Sequence, residues 1–174
     1  MKQILLAACI VLSFPLISFA QIQKGNTAIG GNGGFEIGLD EGSGTRFFIS
    51  PTYGTFLSDK FLLSGTTGFS LFNRDGGNSW SINVGPVLRY YLYVNEKLSP
   101  FVTTGINYYY SSFDNDFIDD IDGIRAFGGG GASFHLNEHI TLDGMVIYAY
   151  DEFSESNDIR MLWGFSLFLD SKEN

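Results

Sequence analysis

The sequence contains little of the side-chain chemistry that most enzymes and metal sites use. Its only cysteine is Cys9, and the chain has two histidines among 174 residues. Because Cys9 lies in the leader described below, the mature chain has no thiol, which excludes disulfides, thiol catalysis and cysteine-ligated metals. The formal net charge of -9 argues against a nucleic-acid partner.

Long apolar runs are also missing beyond the amino terminus. A membrane helix needs roughly 18 uninterrupted apolar residues, and no stretch after Ala20 approaches this length. Any membrane-spanning part of the mature chain therefore has to consist of strands. The mean hydropathy of +0.08 is consistent with strands, because alternating polar residues dilute their hydrophobicity.

Residues 1–20 have the pattern of an export signal. Lys2 precedes an apolar run over residues 4–19, and residues 18–20 form a small-x-small cleavage site. We therefore predict a signal peptide over 1–20 and one mature domain over 21–174.

Two other interpretations of this leader are less favourable. An amino-terminal membrane helix is disfavoured because the run is short, contains Pro15 and is followed by a polar stretch. A lipoprotein signal cleaved before Cys9 would leave an apolar region of about five residues, shorter than the usual 7 to 15.

Residues 79–94 show the clearest alternation in the chain. The even-numbered positions are apolar or aromatic, and the odd-numbered ones are mostly polar. Since successive side chains of a strand point to opposite faces, this pattern predicts one strand with an apolar side. The length is about three times that of a usual soluble strand and suits a tilted membrane strand better. Trp80 at one end and Tyr90, Tyr91 and Tyr93 at the other predict two interfacial aromatic girdles.

Similar alternation predicts eight strands, over residues 26–39, 45–57, 60–72, 79–94, 97–110, 123–136, 139–150 and 159–169. The tight turns at 57–60, 94–97 and 136–139 resemble one another, giving a hairpin repeat of about 40 residues. The sequence therefore predicts an all-β fold, a closed antiparallel up-and-down transmembrane barrel. An even number of strands puts the tight turns and both termini on the periplasmic side and the longer loops outside.

Prolines and glycines interrupt some of these strands. Pro51 and Pro86 lie inside predicted strands of a barrel that has no free edge, so we expect a bulge or a local ladder break at each. The four glycines at 128–131 lack the lysine and following helix of a phosphate-binding loop. Close packing inside a narrow barrel is the better interpretation of that run.

The mature chain resembles the small eight-stranded outer-membrane barrels of the OmpA/OmpX type, and particularly the outer-membrane barrel domain common in Bacteroidetes. The resemblance is carried by residues 23–25 (QKG), 50–60 (SPTYGTFLSDK), 85–91 (GPVLRYY) and 98–101 (LSPF). It implies a place in the cell outer membrane, contact with its lipids and lipopolysaccharide, and insertion by the barrel assembly machinery. It implies no particular activity.

The carboxyl terminus departs from that family. Such barrels usually end on an outward-facing aromatic residue read by the assembly machinery, whereas here residues 169–174 follow Phe168. The insertion signal is then either slightly inset, over 165–169, or weak.

Six charged residues are predicted to face the lumen. A charge facing lipid at the midplane costs about 2 to 4 kcal/mol, which favours the inner face for all of them. They are Glu36, Arg46, Arg89, Arg125, Asp143 and Arg160. Because buried charges must be paired, we predict a structural ion-pair network that fills the lumen; the alternative is a gated path for protons or solutes.

The predicted outer loops are acidic and hold most of the chain's 19 acidic residues: Asp40, Glu41, Asp75, Asp114, Asp116, Asp119, Asp120, Asp122, Asp151, Glu152, Glu155 and Asp158. The densest run, residues 114–123, lacks the EF-hand spacing. Asp114, Asp116, Asp119, Asp120 and Asp122 are therefore only weak calcium candidates, and a solvated loop that condenses cations is the default. No cofactor is expected.

These features predict a non-enzymatic outer-membrane protein whose barrel anchors acidic surface loops, serving envelope integrity or surface interaction. The loops would contact lipopolysaccharide through divalent cations, or an external partner. The alternative is a narrow porin-like channel, although eight strands leave no continuous aqueous lumen. An outer-membrane lipid A acyltransferase or deacylase would need acid-base groups at the outer rim, whereas His135 and His139 flank a predicted periplasmic turn.

Overall fold

The computed structural model describes residues 22–37, 44–74, 77–114, 120–152 and 156–170. They form eight strands: β1 (Thr27–Ile37), β2 (Thr45–Ser58), β3 (Phe61–Arg74), β4 (Gly77–Tyr91), β5 (Leu98–Phe113), β6 (Ile121–His135), β7 (Ile140–Asp151) and β8 (Ser156–Leu169). Each strand pairs antiparallel with the next, and β1 pairs with β8. The predicted closed up-and-down barrel is confirmed. The predicted signal peptide lies outside the described residues.

Helices long and apolar enough to cross a membrane do not occur in the described part of the chain.

The junction of β4 and β5 differs from the prediction. β4 ends at Tyr91 rather than at residue 94. Leu92 still donates its N–H to the carbonyl of Pro100 over 2.9 Å, but proline has no N–H to return a bond, so the ladder cannot continue. The far end of β5 also differs, since the strand extends to Phe113 rather than to residue 110. The β4–β5 ladder continues there to Ser79 opposite Phe113.

Pro51 interrupts the ladder on one side of its strand only. It pairs with β1 without a break, whereas the β2–β3 pairing passes from Ile49 opposite Phe69 to Thr52 opposite Thr66. The hydroxyl of Thr66 donates to the Pro51 carbonyl over 3.2 Å at this break. The predicted local break is confirmed here.

Pro86 behaves in the same way. Its pairing with β3 is continuous, whereas the β4–β5 pairing passes from Val84 opposite Tyr108 to Val87 opposite Gly105. Proline again lacks an N–H on one side of the strand only, here the side that faces β5. Pairing resumes beyond it without a change of register. A closed barrel therefore tolerates a proline by giving up a short stretch of pairing on one side of the strand.

The outer face of the barrel is apolar, as the alternation predicted. In β4, for example, Ile82, Val84 and Leu88 are exposed on the outside, while Asn83 and Val87 line the interior. Phe35, Phe47, Tyr148 and Trp163 on other strands also face outward, with 46% to 62% of their surface exposed. The predicted register is confirmed in the described strands.

One residue of the predicted girdles lies elsewhere. Tyr90 and Tyr93 are 43% and 60% exposed, as expected for an interfacial belt, but Tyr91 is 0% exposed. Its odd position in the alternation puts it on the inner face. The prediction that Tyr91 belongs to a girdle was therefore wrong.

The glycine run of β6 allows β7 to approach the inner face closely. A Cβ built on Gly129 would lie 2.1 Å from the carbonyl oxygen of Val146, and one on Gly131 would lie 2.2 Å from that of Gly144. These distances are too short for any side chain. The interpretation of the run as close packing is thus confirmed for its two inward positions.

Candidate functional site

The interior of the barrel is closed at the end that carries the tight turns, the start of β1 and the end of β8, which we call the turn end. Phe56, Tyr91, Phe101 and Phe168 meet there, and none is more than 1% exposed. Ring centroids lie 5.7 Å apart for Phe56 and Phe168, and 5.8 Å apart for Tyr91 and Phe101. We call these four residues the aromatic floor. Ile22, which precedes β1, packs against it.

Phe168 contributes to the floor from the last strand. The alternation places it on the inner face, and its 0% exposure means that it is not available on the outer surface. Phe165 and Leu169, which bound the predicted inset insertion signal, are 59% and 41% exposed on the outside. Their use as an insertion signal stays a prediction.

A buried ion pair lies directly above the floor. Arg89 Nη1 donates to Asp143 Oδ2 over 2.7 Å, and the two side chains are 12% and 3% exposed. Asp143 also accepts hydrogen bonds from Ser166 Oγ, at 2.8 Å, and Thr141 Oγ1, at 3.0 Å. The Arg89 guanidinium lies 4.0 Å from the centre of the Phe101 ring. Two of the predicted lumenal charges are therefore partners of each other.

Two further ion pairs occupy the outer half of the lumen. Arg125 Nη2 donates to Asp151 Oδ2 over 2.8 Å, and Tyr109 donates its hydroxyl to the other oxygen of that carboxylate over 2.8 Å. Arg160 donates to Asp158 on the same strand. Both arginines are where the sequence predicted them, but their partners are not.

Asp151 and Asp158 were predicted in outer loops, and that assignment was wrong. β7 continues to Asp151, which is 5% exposed, and β8 begins at Ser156 and so includes Asp158. Odd positions of β7 face inward, as Ile147 and Ala149 show by their burial. Extending that alternation past Tyr150 would have placed Asp151 in the lumen.

The last two predicted members of the network are Arg46 and Glu36, which are opposite each other in the β1–β2 ladder. Arg46 lines the outer part of the lumen with Arg125 and Arg160. The side chain of Glu36 lies outside the described residues. Among the described charges the Arg89–Asp143 pair lies above the floor, and the Arg125–Asp151 and Arg160–Asp158 pairs lie in the outer half of the lumen.

Side chains do not fill the lumen completely. One cavity of ≈ 140 Å³ extends from Arg89 to Arg125 and Arg160, and a second of ≈ 90 Å³ lies further from the floor. Their lining is rich in small polar side chains, among them Ser64, Thr66, Ser81 and Asn83. Small inward residues explain why an eight-stranded barrel, which side chains can fill, keeps space for water.

The two histidines lie at the turn end, as expected. His135 Nε2 is 2.9 Å from Ser99 Oγ, and His139 Nδ1 is 3.2 Å from the carbonyl oxygen of Phe168. Ser99 is 0% exposed, so this serine–histidine contact has no access to a substrate. The contacts instead hold the β5 and β8 ends against the β6–β7 turn.

The acidic run after β5 is only partly described. Asp116 and Asp119 lie outside the described residues, while Asp114, Asp120 and Asp122 are exposed. Asp122 was predicted in the loop, but it lies in β6, which begins at Ile121. Within the described ranges no group of three metal-ligating side chains is close enough to hold an ion. The five weak calcium candidates therefore stay a prediction.

Tyrosines at the rim contact two of these carboxylates. Tyr108 donates its hydroxyl to Asp122 over 2.9 Å, and Tyr110 donates to Asp120. The hydrogen bond from Tyr110 is the main cause that lowers the pKa of Asp120 below its ordinary value. Trp80 packs on Tyr110 with ring centroids 5.6 Å apart. The predicted Trp80 girdle is thus linked to the base of the acidic loop.

The comparisons with known proteins agree with this architecture. Residues 4–167 match the model of the family described as outer membrane protein beta-barrel domain. A comparison with the sequences of curated proteins gave no match.

Solved structures resemble the barrel at low sequence identity. OprG of Pseudomonas aeruginosa is 14% identical with a TM-score of 0.61, and covers 88% of this chain and 100% of its own. The amino-terminal barrel domain of OprF from the same organism is 16% identical with a TM-score of 0.60, covering 84% and 98%. The attachment invasion locus protein Ail of Yersinia pestis is 11% identical with a TM-score of 0.56, covering 84% and 100%. These likenesses concern the fold.

Proposed function

The chain belongs to the outer membrane protein beta-barrel domain family, and from this membership we propose that it is a non-enzymatic anchor that displays acidic loops at the cell surface. Its location is the cell outer membrane. The turn end then faces the periplasm, and the loops between β5 and β6 and between β7 and β8 face outward.

The aromatic floor is the observation that carries the choice of an anchor over a channel. Its four rings are at most 1% exposed, and Arg89 and Asp143 lie directly above them with a 2.7 Å contact. Moving an ion past this layer would require both the floor to open and the buried pair to separate, which is costly in a low-dielectric interior. The cavities above the floor are therefore separated from the periplasmic end.

Charge at the opposite end supports a role in surface contact. Asp114, Asp120, Asp122 and Glu152 are exposed near the outer loops. Hard divalent cations prefer oxygen ligands and often retain water, so such carboxylates can share a cation with a phosphate of lipopolysaccharide. This supports a bridging contact as the proposed task of the loops, with an external partner as the other candidate.

Conductance in planar bilayers tests the anchor against the narrow channel. We expect the wild type to show no sustained open-channel current, because the floor closes the lumen. The paired floor variant Tyr91→Ala with Phe101→Ala should admit small currents, whereas the outward-facing control Tyr90→Ala should not. Sustained currents in the wild type that change in Arg89→Ala would overturn the anchor and establish the channel.

Binding to lipopolysaccharide tests the loop contact separately. The full chain in detergent is titrated with lipopolysaccharide in the presence of Mg²⁺ or of a chelator. We expect Mg²⁺-dependent binding that weakens in the double variant Asp120→Asn with Asp122→Asn. The control Glu96→Gln removes one exposed carboxylate at the periplasmic end and should bind like the wild type. Equal binding by all three proteins would contradict the bridging role.

A further inference from the structure

Three guanidinium groups line the same small cavity in the outer half of the lumen. This cavity of ≈ 90 Å³ is lined by Arg46, Arg125 and Arg160. The polar groups that complete its lining are hydroxyls and one amide, and no carboxylate of the described residues is among them: they belong to Ser50, Ser70, Ser81, Ser111, Tyr109 and Asn83. We call it the arginine cavity. Its described lining therefore presents positive charge and hydrogen-bond donors.

The carboxylates that balance Arg125 and Arg160 lie behind this lining. Asp151 and Asp158 each accept a bond from one guanidinium nitrogen, and neither of them lines the cavity. An arginine has five N–H donors, so these contacts leave other donors for the cavity. Arg125 Nε is buried and has no hydrogen-bond partner among the described residues. An unmade hydrogen bond of a buried charged group is costly and favours any acceptor that can reach it.

We propose that the arginine cavity is a binding site for a small oxyanion, of which inorganic phosphate is the simplest representative. Arginine forks match the oxygens of such an anion, and the hydroxyls can donate further bonds. The cavity volume of ≈ 90 Å³ is several times the space that one water molecule needs, so a small oxyanion fits. The site goes beyond the proposed anchor function, which assigns no ligand to the lumen.

The anion enters from the outer end of the barrel. The aromatic floor blocks the periplasmic end, and the side chains of Arg125 and Arg160 are each 26% exposed, compared with 12% for Arg89. Arg89 lies deeper and is buried with its partner Asp143, whereas Arg125 and Arg160 are more exposed although each is also paired. The site is therefore a vestibule on the outer side of the aromatic floor and not a step of a transmembrane path.

Titration calorimetry of the refolded full chain in phosphate-free detergent solution tests the proposal, with phosphate as the probe. We expect saturable binding of one phosphate that weakens as chloride is added, because both are anions. The double variant Arg125→Gln with Asp151→Asn removes a guanidinium without leaving its buried carboxylate unpaired. Its affinity should fall about tenfold or more, as expected for the loss of a hydrogen bond to a charged group.

Two matched variants distinguish phosphate binding in the arginine cavity from a general effect of positive charge. Lys97→Gln removes an exposed cation at the periplasmic end and should leave the phosphate affinity unchanged. Ser111→Leu fills the cavity while keeping every arginine and every ion pair, and should abolish binding. If the paired variant does not refold, Ser111→Leu decides alone.

Three results would overturn the proposal. They are the absence of saturable phosphate binding in the wild type, an equal loss in Lys97→Gln, and unchanged binding in folded Ser111→Leu. Folding is checked by circular dichroism and by the mobility of the unheated protein in gels. None of these outcomes depends on whether the barrel conducts, so this test and the conductance test of the anchor fail independently.

Discussion

Arg89 and Asp143 face each other across the lumen with 2.7 Å between Nη1 and Oδ2, although they are 54 positions apart in the sequence. Their side chains are 12% and 3% exposed, so each is the main compensation for the other's charge. Asp143→Asn leaves the guanidinium without that compensation, and we expect it to destabilise the barrel by about 3 to 5 kcal/mol. Urea titration of folding in lipid vesicles measures this change.

The double replacement Arg89→Met with Asp143→Leu is the matched control for that pair. Buried ion pairs can often be replaced by apolar side chains of similar volume at little cost, because the desolvation penalty disappears with the charges. We therefore expect the double variant to be more stable than Asp143→Asn. A double variant that is less stable than the single one would mean that the pair contributes more than it costs to bury.

Gly128 and Gly129 are neighbours in β6 and provide a test of close packing. A Cβ on Gly129 would lie 2.1 Å from the carbonyl oxygen of Val146, whereas the nearest atom to one on Gly128 is the Thr103 carbonyl oxygen at 3.8 Å. We expect Gly129→Ala to cost about 1 to 3 kcal/mol or more through overpacking, and Gly128→Ala to be nearly neutral. Folding titrations of both variants measure this difference, and equal effects would contradict the packing argument.

The fold could be predicted from the sequence because a membrane barrel places strict limits on which side chains its strands can carry on each face. The outer face must be apolar along its whole length, and the alternation with a period of two gives both the strands and their orientation. Arg89, Arg125, Asp143 and Arg160 could be placed inside for the same reason. The turn residues then fixed the number of hairpins.

The partners within the lumen could not be predicted because alternation gives the face of a residue and not its height. The Arg89–Asp143 contact depends on the stagger of all the strands between β4 and β7, which no local pattern specifies. The contact of Phe168 with Phe56 depends on the same stagger. Asp151 was assigned to an outer loop for a different reason, because acidic residues at the end of a strand resemble those of a loop.

Leu88 and Val87 test the register of β4 with the same substitution on opposite faces. Leu88 is 36% exposed on the lipid side, and Val87 lines the larger cavity. Leu88→Arg should impair folding into vesicles by about 2 to 4 kcal/mol if it lies near the midplane. Val87→Arg should be milder, because the cavity gives the new side chain polar surroundings. Equal losses in the two folding titrations would mean that the alternation had been misread.

Asp120 lies at the outer rim, between the end of β5 and the start of β6. Its pKa is lowered mainly by the hydrogen bond from the Tyr110 hydroxyl, and secondarily by one from Ser112. A lowered folded-state pKa contributes stability above the unfolded value, and this is lost as the pH falls through the folded value. In Tyr110→Phe we expect the pKa to rise toward the ordinary value, so that less of the stability depends on this pH range.

Carbon-detected NMR titration of the Asp120 carboxyl measures that pKa in the wild type and in Tyr110→Phe. Tyr108→Phe is the control, since Tyr108 donates to Asp122 over 2.9 Å and removing its hydroxyl leaves the Tyr110 contact in place. We expect the Asp120 titration to move to higher pH in Tyr110→Phe and to stay where it is in Tyr108→Phe. If both variants titrate like the wild type, the rim tyrosine does not hold this carboxylate, and the link between the Trp80 girdle and the acidic loop fails with it.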